Sequence, residues 1–451
     1  MMNLQRACLL VLALMALTGF AFSGVAAPVP EDDFTTGDES AHDWPQFRGA
    51  HRDGVTPETP RQGTWPEAGP RELWSVPLGE GYSGISVAGD RLFTLFADAE
   101  GEHLAAFDRK TGEQRWSTRI ADRLDTAMGN GPRSTPTVAD GRVFALGASG
   151  DLVAAKASDG SILWRHNLPE DFGSRPPQWG FATAPLVDDN LLLLEVGGTD
   201  GAFAALDPAT GEVRWQAYER GGGYSSPIIM TIGGVKQYVF VPTAADQVVS
   251  LLPDGTVHWT HSWHAGTIAM PVAVGEDGLF VSASNDIGAM VVKISEGSDG
   301  VELEELWRSR EMKNHFSSSV YYQGHIYGFD GGTFKCIDAL TGEFQWGKRG
   351  LGKGSLIVAG DRLIVLGDRG QLVLVEATAE EYRELASARV LGGKTWTSPA
   401  FAGGQLFLRN QEKMVALDLN APPSPAAEAS AEGSEEAISQ DSTPQESGGA
   451  R

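Results

Sequence analysis

Only two of the 451 residues are cysteines, Cys8 and Cys336. Cys8 falls in a leader that reads as removable, so the mature chain cannot form a disulfide within itself and must be held by its own core. Long apolar runs are also missing. The longest, residues 7–17, is too short for a comfortable membrane span. With Arg6 before it and Gly24, Val25, Ala26 and Ala27 after it, residues 1–27 read as a signal peptide, which makes the protein exported, periplasmic or secreted, with no transmembrane anchor after cleavage. Basic residues are scarce: 35 Lys and Arg stand against 59 Asp and Glu, a formal net charge of −24. That balance excludes nucleic acid as a partner. Six of the acidic residues lie in 28–43 and six in 421–451, and the latter segment reads as a disordered acidic tail.

Several kinds of chemistry are absent as well. His258, His261 and His264 have a suggestive spacing, but on a strand His258 and His261 face opposite ways and His258 and His264 stand about 20 Å apart. They share no metal ion unless the strand breaks after Trp259. The glycines at 221–223 and 147–150 open no helix, so a phosphate cradle is not expected. No Ser-His-Asp arrangement and no local set of oxygen ligands stands out, so no catalytic or metal residue is assigned.

What the chain does have is a repeat. Asp207-Pro-Ala-Thr-Gly211 followed by Trp215 sits between period-two apolar runs, the pattern of a hairpin with an aromatic anchor. Variants recur at Asp108 to Gly112 with Trp116, at Gly160 with Trp164, at Gly255 with Trp259, and at Asp338 to Gly342 with Trp346. Gly112, Gly211 and Gly342 supply the positive φ that the turn needs. Gly101, by contrast, reads as an exposed loop glycine. Trp74, Trp116, Trp164, Trp215, Trp259, Trp307 and Trp346 mark successive copies, and the next step falls on Ala386, where the strand persists without its ring. The last copy, from Trp396, ends one strand short, while Glu72 to Leu78 is a strand with no copy before it. Lending the first strand to the last unit closes a ring and removes the open edges. The expected fold is all-β: an eight-bladed β-propeller of four-stranded antiparallel blades over residues 72–420. Residues 28–71 read as an acidic leader and an irregular cap, in which Arg48 and Arg52 are expected to salt-bridge locally.

The Asp-x-x-Thr-Gly-x-x-x-Trp pattern, with openings such as Ser134-Thr-Pro136, Ser225-Ser-Pro227 and Thr397-Ser-Pro399, resembles the pyrroloquinoline-quinone-like (PQQ-like) propeller repeat. That family holds quinoprotein dehydrogenases and also non-catalytic proteins such as the outer-membrane assembly lipoprotein BamB. The resemblance implies that the repeat tryptophans lock blades together. An enzyme of the family would imply a vicinal cysteine pair, a calcium and a catalytic aspartate, and one mature cysteine makes no pair. The expectation is a non-catalytic, monomeric scaffold that binds a protein or envelope component and carries no cofactor. The alternative is a PQQ- and calcium-dependent oxidoreductase, or a small-ligand binder using the central channel.

In a propeller the first strand of each blade lines the axis, so residues just before those strands ring one mouth. Here they are Tyr82, Arg133, Trp179, Tyr224, His264, His315, Lys353, Lys394 and Trp396. Aromatic faces beside Arg and Lys suit a planar or anionic ligand, or an acidic segment of a partner.

Overall fold

A computed structural model describes residues 43–61, 63–298 and 300–420. The segments read as signal peptide and acidic tail, with most of the leader, lie outside the described residues. Thirty-two strands of the described chain form eight four-stranded sheets, each antiparallel. The first blade runs Ser86–Ala88, Arg91–Ala97, Glu102–Asp108 and Gln114–Ala121 from axis to rim. The others span 137–167, 186–217, 228–262, 272–309, 320–349 and 355–389, and the eighth spans 400–418. The eighth blade takes its outermost strand, Arg71–Pro77, from the beginning of the domain, paired antiparallel from Arg71 against Asp418 to Pro77 against Lys413. An Arg71–Asp418 ion pair at 2.6 Å sits at the end of that register.

Burial explains the composition of each strand. Blades stack face to face, so the middle strands are covered on both sides and read as continuous apolar runs, as in Arg362–Leu366 and Gln371–Glu376. Outermost strands such as Gln114–Ala121 alternate instead. In every blade the register between the third and fourth strands slips beside the repeat tryptophan or the alanine in its place, as between Ala106 and Phe107, where Trp116 pairs with Ala106 and Gln114 with Phe107. The extra residue, Arg115, reaches back to the carboxylate of Asp108. This bulge redirects the strand and aims the tryptophan at the next blade.

The hairpin turns form as their residues demand. Asp207 Oδ1 accepts the N–H groups of Ala209 at 2.8 Å and Thr210 at 3.0 Å, and Gly211 has φ +78°. A second requirement was hidden from the sequence: a Cβ on Gly211 would stand 2.8 Å from the indole of Trp164 in the preceding blade. Gly112 under Trp74, Gly160 under Trp116, Gly255 under Trp215 and Gly342 under Trp307 repeat the contact. Each of these indoles donates its N–H to a carbonyl of the next blade's turn, from Trp307 to Ala339 O at 2.9 Å to Trp116 to Ala157 O at 3.1 Å. Trp346 does likewise to Thr378 O at 2.8 Å. Where Ala386 replaces the ring, Trp65 joins the same core cluster. Gly101 corrects an expectation: it is buried, and a Cβ there would meet Ala121 O at 2.4 Å.

The larger correction concerns the cap, which is a plug. Trp44 exchanges backbone hydrogen bonds with Val87 of the first blade at 3.0 and 2.8 Å, and Pro45 O accepts Val138 N–H of the second at 2.8 Å. Val55–Thr56 runs parallel to the innermost strand of the seventh blade. Arg48 and Arg52, both 3% exposed, do not pair with carboxylates inside the segment. Arg52 donates to Ala184 O at 3.1 Å and Pro185 O at 2.9 Å in the third blade, and Arg48 donates to Ser319 O at 2.5 Å in the sixth. A chain bonded to the innermost strands of five blades lies on the axis. Both its ends meet turns between first and second strands: Asp43 accepts from Gly89 N–H at 3.2 Å, and Glu58 accepts from the N–H groups of Gly403 and Gly404 at 2.9 Å. The plug therefore enters and leaves by one face of the ring, and burial holds the Arg48 guanidinium down to about 10 and that of Arg52 to about 9.

Candidate functional site

At the other face the plug leaves a blind cavity of about 270 Å³. Phe47, at the tip of the plug, is part of its lining. Of the nine residues expected at this mouth, Tyr82, Arg133, Trp179, Tyr224, His315 and Trp396 line it together. Each comes from the loop that leads into a different blade, which is why residues scattered over more than 300 positions of chain converge.

Two aromatic groups make the walls. Phe316 stacks on Trp396 at 4.7 Å and Trp396 on Tyr82 at 5.6 Å, while Trp179 leans on Tyr224 at 5.4 Å. Lys394 stands at the lip, its Nζ 4.3 Å from the Trp396 ring centroid. Arg133 lies 5.8 Å from the centroid of Tyr82. Both cations are partly committed to the loop that carries Met128. Lys394 Nζ donates to Met128 O at 3.1 Å, and Arg133 donates to Gly131 O, to Gly129 O at 2.6 Å and to Thr126 Oγ1 at 3.1 Å. Of the five N–H groups of a guanidinium, that leaves donors on Arg133 for a ligand.

Two residues expected in the ring do not join it. His264 is exposed, because Trp263 is buried and its indole binds Thr267 Oγ1 at 2.7 Å, folding the chain so that Ile268 reaches the cavity instead. Lys353 is exposed as well, its backbone N–H held by Asp368 Oδ2 at 3.1 Å. Its charge, after burial, helps to push the imidazole of His315 below its ordinary value, and His315 Nδ1 is buried without a hydrogen-bond partner. Sequence reasoning missed Phe316, which follows His315 directly, and Phe47, whose segment carries no repeat signal.

The Ser/Thr-x-Pro openings hold the ring together, and Thr135, Ser226, Thr397 and Ser398 of the same motifs also line the cavity. Ser134 Oγ donates to Thr183 O at 2.9 Å, Ser225 Oγ to Ala269 O at 3.0 Å, and Ala184 N–H donates to Ser226 Oγ at 2.9 Å, so hydroxyls stitch the openings of the second to fifth blades together. Behind the wall lie two buried carboxyls. Glu102 accepts the N–H groups of Ala148 at 2.8 Å and Leu124 at 3.4 Å, and Glu195 accepts Gly222 N–H at 2.8 Å. Burial raises Glu102 to about 7 and Glu195 to about 8. Each anchors a loop that reaches the mouth. No carboxylate lines the cavity itself, so among the described residues it offers no acidic ligand for a calcium.

Eight blades joined by turn glycines, bulges and indole bonds define a PQQ-like repeat propeller. The chain belongs to the family whose model is described as outer membrane protein assembly factor BamB, matched over residues 66–147 and 102–348. By sequence it is similar to the serine/threonine-protein kinase AfsK of Streptomyces griseus, 28% identical over 38% of this chain and 20% of the kinase. It is also similar to BamB of Shewanella oneidensis, 24% identical over 64% of this chain and 73% of that protein. The chain thus spans a fifth of the kinase and about three quarters of that BamB. Among solved structures, BamB from Moraxella catarrhalis superposes with a TM-score of 0.58 at 14% identity, covering 78% of this chain and 98% of that one. A quinohemoprotein alcohol dehydrogenase from Comamonas testosteroni superposes with a TM-score of 0.59 at 11% identity, covering 85% and 82%. These structural likenesses show the fold alone.

Proposed function

We propose that this protein is an exported, non-catalytic scaffold that holds a segment of a partner protein or envelope component in the aromatic mouth. The observation that carries the reading is the plug: a channel filled by the chain's own residues 44–56 leaves a blind, aromatic-walled recess with cations at its edge. Such a recess suits an acidic segment bearing a flat side chain, because stacking and charge-assisted hydrogen bonds act on it together. The relatives named as assembly factors point the same way. The test is capture from envelope extracts by the purified protein and by Trp396→Ala and Trp179→Ala variants. The reading expects specific partners to be lost from both variants while their unfolding transitions stay intact. Equal recovery by all three proteins would remove the mouth from consideration.

A second reading, a PQQ-dependent oxidoreductase, draws on the stacked walls, which fit a flat ring, and on the dehydrogenase fold likeness. The lining does not fit the calcium that such a cofactor uses. The measurement is thermal unfolding with and without pyrroloquinoline quinone and calcium, since any true ligand of the folded state raises the midpoint. A concentration-dependent rise would favour the enzyme, and an unchanged midpoint the scaffold.

A further inference from the structure

Six of the seven repeat tryptophans bond to a carbonyl in the next blade's turn; Trp259 does not. Its indole N–H turns inward to Gln237 Oε1 at 2.6 Å, an oxygen that also accepts Ser250 Oγ at 2.7 Å. The cause lies in the fifth blade. Its third and fourth strands, Gly288–Gly297 and Gly300–Ser309, are 10 residues each, whereas no fourth strand of another blade exceeds the 8 of Gln114–Ala121. The long hairpin runs past the place where other blades put the Asp-x-x-Thr-Gly turn, so no turn carbonyl or glycine waits beneath Trp259.

At this seam between the fourth and fifth blades a groove of about 560 Å³ opens. Its lining joins buried Met230, Ile232 and Ile294 to the carboxylates of Glu276, Asp277 and Glu296. Two of these carboxylates have partners: Glu296 accepts from His258 Nε2 at 2.8 Å, and Asp277 stands 3.7 Å from Lys293 Nζ. Glu276 is exposed and makes no ion pair among the described residues. Gly233 keeps the groove open, since a Cβ there would press on Glu296 Cβ at 2.8 Å.

We propose that this seam is a second docking site, distinct from the mouth, for an arginine- or lysine-bearing segment of a partner protein. An apolar back with acidic lips matches the anatomy of those two side chains: a long aliphatic stem lies along Met230, Ile232 and Ile294 while the cationic head meets the carboxylates. A volume of this size accepts more than one side chain, and the net negative charge of the whole chain steers a basic segment toward it.

The test uses a synthetic 12-residue peptide in which arginine alternates with valine, with glutamate replacing arginine in the control. Binding is read by fluorescence anisotropy and located by hydrogen exchange on the full chain. The expected result is slowed exchange at Ile232, Gly233 and Ile294 with the arginine peptide alone. A Glu276→Gln, Asp277→Asn, Glu296→Gln variant should then raise the Kd at least tenfold, with its thermal unfolding unchanged. Three results would overturn the proposal: protection confined to other blades, an unchanged Kd in the variant, or the same protection from calcium chloride without peptide. None of these bears on the mouth, so the two sites fail or stand separately.

Discussion

Replacing Gly211 with alanine tests the joint that repeats around the ring, and Gly141→Ala supplies the control. Both glycines have positive φ, +78° and +70°. They differ in surroundings. A Cβ at Gly141 has nothing within 4 Å, whereas at Gly211 it would stand 2.8 Å from Trp164 Cδ2 and 3.1 Å from two further indole atoms. Left-handed backbone costs an alanine about 1 to 2 kcal/mol at either site. At Gly211 the indole must also move, and overpacking of that kind adds about 1 to 3 kcal/mol. Part of that comes from straining the 3.1 Å bond of Trp164 to Pro208 O. The expected losses are therefore about 1 to 2 kcal/mol at Gly141 and about 2 to 5 kcal/mol at Gly211, read from urea unfolding followed by tryptophan fluorescence. Equal losses at the two positions would mean that the glycine serves only its own turn and that the indole contact holds nothing.

The plug and the buried carboxyls give three more expectations. Trp44→Ala removes a ring that is 2% exposed and should cost about 3 to 5 kcal/mol in unfolding free energy; a loss under 1 kcal/mol would mean that the plug is not integral. A chain beginning at Thr64 should stay monomeric but less stable, whereas one beginning at Leu78 bares the edge of Lys413–Asp418 and should aggregate on sizing chromatography; equal solubility would contradict ring closure by the first strand. Burial raises the folded values of Glu102 and Glu195 to about 7 and about 8 against 4.5. Because the folded state keeps these protons after the unfolded chain has lost them, their contribution is full below pH 4.5 and falls as pH rises to about 8. For Glu102 the fall is about 3 kcal/mol, at about 1.4 kcal/mol per tenfold change in proton affinity. Unfolding at pH 5 and pH 8 should show the decline, and Glu102→Gln should flatten it; an unchanged slope in that variant would assign the pH dependence elsewhere.

The ring was legible because its parts repeat. Strand, turn and indole recur at nearly constant spacing, and the orphan strand at Trp74 matched a strand missing after Asp418. The mouth was partly legible, since residues just before each first strand must face the axis, and six of nine do line one cavity. His264 failed because Trp263 found a local partner in Thr267, a side-chain choice that no spacing reveals. The plug was illegible for a different reason. Residues 44–56 carry no period, and their arginines read as local salt-bridge partners, whereas the carbonyls of Ser319, Ala184 and Pro185 that hold them come from blades far away in sequence. The diverted Trp259 is of the same kind: its motif is intact, and what changed lies in the next blade's longer hairpin.

The central claim is that the aromatic mouth binds a segment of a partner. A photo-reactive phenylalanine analogue placed at Met128, 39% exposed on the cavity's lip, and separately at Leu340, 65% exposed on a turn of the sixth blade, addresses it most directly. After irradiation in envelope extracts, the account predicts discrete cross-linked species from position 128 that vanish when Trp396→Ala is added, and none from position 340. Products from position 340 alone, or products from position 128 that survive Trp396→Ala, would contradict it.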